Sequence, residues 1–110
     1  MGQCDAVGRS VYNRKSKWER LCRRFVDWKS SRTGAKIHFE IVEMRDRDFR
    51  TYMVVAFDGT TGNTFGRDGG TRIDAVRNFI LLLMSGDFPW PSSRKPSYRE
   101  LVLEIEARGF

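Results

Sequence analysis

IHFEIVEMRDRDFRTYMVVAFDGTTG, residues 37–62, is the stretch that decides the fold. Ile37, Phe39 and Ile41 alternate with His38 and Glu40, so an extended chain puts apolar side chains on one side and polar ones on the other. That two-residue period marks a half-buried strand. The charged hexad Arg45-Asp46-Arg47-Asp48-Phe49-Arg50 reads as an interruption. After it, Tyr52-Met53-Val54-Val55-Ala56-Phe57 has the β-branched and aromatic residues of a second strand. Asp58-Gly59-Thr60-Thr61-Gly62 has turn chemistry, since Gly59 and Gly62 can take positive φ, and Asn63 to Arg67 can pair back as a short third strand. The expectation is a three-stranded antiparallel meander. Its second strand is apolar on both faces, so something beyond one helical layer should cover it, either a C-terminal helix or a second copy of the chain.

Helical periodicity flanks the meander. Upstream, Ser16 with Glu19 makes a capping-box pattern, followed by Trp18, Leu21, Cys22, Phe25 and Trp28 at helical spacing. This predicts a first helix over Lys17 to Ser30, stopped by the Ser30 to Gly34 stretch. Downstream, Asp68-Gly69-Gly70-Thr71 breaks the sheet. Ile73, Val76, Phe79, Ile80, Leu83 and Met84 then predict a second, largely buried helix closed by Gly86. Residues 87–96 form a Pro-containing linker. Residues 97–110 form a last helix, with Ser97 and Glu100 as a capping box and Tyr98, Leu101, Val102 and Ile105 on one stripe. Residues 1–15 lack periodicity and are expected to be a flexible basic arm, leaving 16–86 as the main folded unit.

At 110 residues and 40% hydrophobic composition the chain can bury one modest core. Its longest uncharged apolar run, Phe79 to Met84, is far too short to span a bilayer, so no membrane role is expected. No leader-like segment opens the sequence, and Cys4 and Cys22 fit a reduced cytoplasmic or nuclear setting. Met1-Gly2-Gln3-Cys4 hints at acylation, but Ala6 stands where that pattern prefers Ser or Thr. One histidine and no CxxC spacing leave no basis for a metal site or other cofactor. With no carboxylate pair beside a second acid or base, the reading is non-catalytic.

The formal net charge is +6. Its source is the first third of the chain, where Arg9, Arg14, Lys15, Lys17, Arg20, Arg23, Arg24, Lys29, Arg32 and Lys36 face only Asp5, Glu19 and Asp27. That third is the candidate polyanion surface; the competing reading is a solvated, solubilising face.

The order of elements, with a short charged loop between strands one and two and a Gly-rich approach to helix two, resembles the double-stranded-RNA-binding domain. The likeness runs from Phe25 to about Met84. Phe39-Glu40-Ile41-Val42-Glu43 is similar to the family's first strand and Val54-Val55-Ala56-Phe57 to its second. Phe65 to Ala75 is similar to its glycine-rich lead into helix two. The resemblance implies an α+β fold of α-β-β-β-α order, with a sheet carrying its helices on one face and an extra C-terminal helix here. It also implies recognition of A-form duplex shape by helix one, the first inter-strand loop and the N-terminus of helix two.

On that resemblance Arg20, Arg23, Arg24 and Asp27 would act from helix one, and Arg45 and Arg47 from the loop. Gly70, Thr71 and Arg72 would seat a phosphate, where open amides and the helix dipole favour an anion. The pattern also departs from the family. Ile73 and Val76 replace two lysines of its helix-two clamp, for which Arg67 and Arg77 are the nearest substitutes. The first loop also lacks the family's Gly-Pro-x-His signature. These departures keep a second expectation open, a module of this fold used for protein contact or homodimerisation through the sheet or the C-terminal helix.

Overall fold

The computed structural model describes residues 16–87, 89, 91 and 94–110. The arm at 1–15, with Cys4, lies outside the described residues. The elements are α1 (Lys17–Thr33), β1 (Ile37–Asp46), β2 (Phe49–Asp58), β3 (Thr64–Gly69), α2 (Arg72–Leu83) and α3 (Tyr98–Ala107). The protein is thus α+β, with helix, three antiparallel strands in the order β1-β2-β3, and two further helices.

Strand register follows the alternation read from the sequence. Ile41 lies opposite Val54 and Phe39 opposite Ala56, while Phe65 pairs Ala56 from the other side. These residues share one face, and α2 lies across it. The Phe79 ring stacks on Phe65 at 5.8 Å and meets Phe39 at 6.1 Å, so one side chain of α2 ties both edge strands to the core. Beside α2 runs α1, burying Trp18, Leu21, Cys22, Phe25, Val26 and Trp28. Burial pushes the Cys22 thiol up to about 12, so it packs as an apolar group and is no nucleophile at neutral pH.

Three features depart from the sequence reading. First, the charged hexad does not interrupt the sheet. β1 and β2 pair without a break out to Arg45 opposite Arg50 and Asp46 opposite Phe49, leaving Arg47-Asp48 as a two-residue turn with Arg47 at φ 50°. The expected loop is therefore the tip of a long hairpin. Hydrogen bonding between backbones, which needs no hydrophobic periodicity, carries the strands through the charged residues.

Second, α1 runs past Ser30 to Thr33, where Gly34 at φ 75° ends it by donating its N–H to the Ser30 carbonyl. β3 likewise continues beyond Arg67 to Gly69.

Third, the C-terminal helix does not cover the far side of the sheet. Leu101 and Ile105 of α3 are fully buried in the same core as α1, and the Tyr98 ring meets Trp18 edge-on at 5.3 Å. The linker assists this docking, with Pro96 buried and Asp87 paired to Arg32 at 3.1 Å. An amphipathic stripe shows that a helix must bury one side but not against what. Here the partner is α1, and the outer sheet face of Val42, Met44, Met53, Val55 and Phe57 stays uncovered by any described element.

Candidate nucleic-acid interface

At the end of β3 the chain passes from Gly69, paired with Tyr52, through Gly70 to the start of α2. The hairpin tip lies at this same end of the sheet, three pairs further along the ladder. At about 3.4 Å per residue that places the last pair of the hairpin, Asp46 with Phe49, roughly 10 Å beyond the last residue of β3, with Arg47 in the turn past it. The topology therefore brings the N-terminus of α2 and the hairpin arginines to one end of the molecule.

The first half of α1 borders the same region. Glu19, Arg20 and Arg23 line a cleft of about 430 Å³ with Phe39, Glu40 and Ile41 of β1 and Arg72 of α2. Arg23 lies over the Phe39 ring at 4.6 Å, which holds its guanidinium at the wall of the cleft. Arg72 reaches across to α1, donating to Glu19 Oε1 at 2.5 Å. Thr71 caps α2, its hydroxyl accepting from the Asp74 N–H at 3.0 Å. The amides of Arg72 and Ile73 remain at the open end of the helix. Gly70 is exposed, and a side chain there would meet nothing within 4 Å.

The hairpin tip has its own arrangement. Glu43 sits between Arg45 at 3.7 Å and Arg50 at 3.3 Å, so part of the positive charge is balanced within the ribbon. Arg47 stands exposed at the turn, next to Phe49, which is 75% exposed.

Other residues singled out from the sequence are placed apart from this group. Arg24 donates through Nε to the Phe110 carbonyl at 2.8 Å, tying α1 to the end of the chain beyond α3. Arg77 packs against Trp18 at 5.2 Å and pairs with Asp74 at 3.2 Å, leaving its side chain 19% exposed. Arg67 is exposed on β3 and donates to the Gly66 carbonyl beside it. Asp27 is exposed on α1.

Sequence reading missed Glu40 and Arg50. Glu40 on β1 could have been flagged, since alternation already turned it away from the core. Arg50 looked like one more charge in a loop, and only the register with Arg45 shows that it shares Glu43.

Among the described residues no cluster of His, Cys, Asp or Glu could hold a metal ion, and no helix is long and apolar enough to cross a membrane. No protein-family model matches the chain, and neither the curated proteins nor the solved structures contain a significant match to it.

Proposed function

We propose that the protein binds double-stranded RNA without catalysis and without strong sequence preference. The observation that carries this reading is the grouping of Arg20, Arg23 and Arg72 around one cleft, at the end of the sheet from which the Arg45–Arg47–Arg50 ribbon projects. Guanidinium groups bind phosphates bidentately, and spreading them over a helix face, a helix N-terminus and a projecting ribbon suits a long, regularly charged ligand. Recognition of A-form duplexes uses such separated surfaces, reading backbone shape with little access to base edges. Carboxylates among the arginines fit a ribose-bearing backbone as well, because a carboxylate can only accept and the 2′-hydroxyl is a donor. Cytoplasm or nucleus is the corresponding location, where duplex RNA occurs and Cys22 stays reduced.

The test is an anisotropy titration of matched duplex RNA, duplex DNA and single-stranded RNA at two salt concentrations. Duplex RNA is expected to bind most tightly, with affinity falling steeply as salt rises, each phosphate contact contributing roughly 0.9 to the log–log slope on a B-form reference. The double variant Arg20→Glu/Arg23→Glu should weaken duplex binding by about tenfold or more. Absence of duplex-RNA binding by the wild type at low salt would refute the proposal.

The outer sheet face favours a second reading, a homodimer or protein-contact module. Met44 is 38% exposed and Phe57 46% exposed, and with Val42, Met53 and Val55 they form an apolar strip, interrupted by His38, Glu40 and Thr51, on the side away from the helices. If that face pairs with a second copy, light scattering should give the dimer mass for the wild type and the monomer mass for Phe57→Asp. A monomeric wild type at high concentration rules this reading out.

A further inference from the structure

Arg72 occupies the first position of α2, where the helix dipole disfavours a cation. Glu19 on α1 offsets that cost, its side chain 19% exposed and its carboxylate accepting from Arg72, whose side chain is 49% exposed. Glu19 also gives up a bond to do so. Both Glu19 and Glu100 stand three residues after a capping serine, and both serines accept from the backbone N–H of their glutamate. Glu100 completes its box by accepting from the Ser97 N–H at 3.0 Å. Only the α3 cap closes in this reciprocal way, because the Glu19 side chain turns to α2.

We propose that Glu19 is the resident anion of a phosphate seat. Without RNA it holds Arg72 over the N-terminus of α2, and a backbone phosphate must displace it to bind. Glu19 is thus a positioning residue that acts through Arg72 and sets how strong a polyanion must be to engage the cleft. A lone phosphate gains one guanidinium and has to break an existing ion pair. A duplex gains Arg20, Arg23 and the hairpin arginines at the same time, which offsets the loss. The inference rests on the RNA reading and adds that the seat is occupied from within.

The experiment is a double-mutant cycle on duplex-RNA affinity against salt, using wild type, Glu19→Gln, Arg72→Ala and the double variant. Glu40→Gln is the control, removing the same charge from another wall of the cleft. Glu19→Gln leaves the backbone N–H that bonds Ser16 in place, and a thermal melt of each variant checks folding; if it fails to fold, Glu19→Ala replaces it with the same expectations. Freeing Arg72 should tighten duplex binding about two- to fivefold, the scale of one exposed ion pair. Because Arg72 meets a phosphate in both proteins, the log–log salt slope should change by less than the roughly 0.9 of one contact on the B-form reference. In the Arg72→Ala background that gain should vanish, whereas the smaller gain from Glu40→Gln should be the same with or without Arg72. A wild type that binds duplex RNA while Glu19→Gln binds no tighter than Glu40→Gln overturns the inference and leaves the RNA reading intact. So does a Glu19→Gln gain that survives loss of Arg72. If neither wild type nor Glu19→Gln binds duplex RNA at low salt, both the reading and the inference fall.

Discussion

Phe79→Ala is expected to cost the fold about 3–5 kcal/mol, the range for emptying a fully buried aromatic site. Phe79 is 0% exposed and touches aromatic rings on both edge strands, Phe39 of β1 and Phe65 of β3. Those rings cannot close over the gap, because β2 lies between their strands and its backbone pairing fixes their separation. The cavity therefore persists, and the loss includes its lining contacts as well as the transferred surface. A domain of this size has only about 5–15 kcal/mol in total, so the variant should sit near the limit of folding. Urea denaturation measures it: the midpoint should fall sharply with little change in slope. A loss under about 1.5 kcal/mol, typical of a tolerated core exchange, would show that α2 does not depend on this ring.

Gly69→Ala should act through the backbone. A Cβ at Gly69 would lie 2.5 Å from the Ala75 nitrogen and 2.8 Å from the Asp74 carbonyl carbon, both in the first turn of α2. No side-chain rotation relieves such a contact, so β3 or α2 must move. The bond from Asn78 Nδ2 to the Asp68 carbonyl, 2.9 Å long, would be lost with it. We expect a destabilisation of about 2–3 kcal/mol, in the upper range for overpacking. Because the displaced turn carries Thr71 and Arg72, duplex-RNA affinity should fall as well. Gly70→Ala is the control for stability, since a methyl there meets nothing within 4 Å. Melting temperature and RNA affinity of the two variants, measured side by side, check both halves. Equal stability of the pair would show that the β3-to-α2 junction is not close-packed.

The helices were legible because their apolar stripes are long and their caps conventional; Ser16, Thr71 and Ser97 all cap as side-chain acceptors. The strands were legible where they cross the core, at Ile37 to Ile41 and Tyr52 to Phe57, because one-sided burial writes a two-residue period into the sequence. Beyond the core, that selection disappears. The strand ends from Met44 to Thr51 carry charges on either side, so the sequence there resembles a loop while the backbone stays paired. Legibility also failed where two elements compete for one group. Nothing local shows that Glu19 will abandon Ser16 for a residue 53 positions away. For the candidate site, the residue types were apparent from charge, but a helical projection of α1 or α2 does not show that Arg72 reaches the cleft while Arg24 and Arg77 turn to other contacts. Only the packing of α3, α1 and Trp18 separates the arginine at the cleft from the two drawn to other contacts.

β3 ends opposite Tyr52, so the last pairs of the hairpin, from Met44 and Thr51 to Asp46 and Phe49, form a two-stranded ribbon with no third strand alongside. Two-stranded ribbons twist more readily than wider sheets. Bending an overhang of roughly 10 Å by 10° moves its tip by nearly 2 Å, with no side chain leaving the core. The arginines on the ribbon are therefore mounted on an elastic arm, while those on α1 and α2 are mounted on a rigid block. Fitting to a surface of variable spacing can then proceed by bending one hairpin, at an elastic cost set by two backbones, while the hydrophobic core keeps its packing.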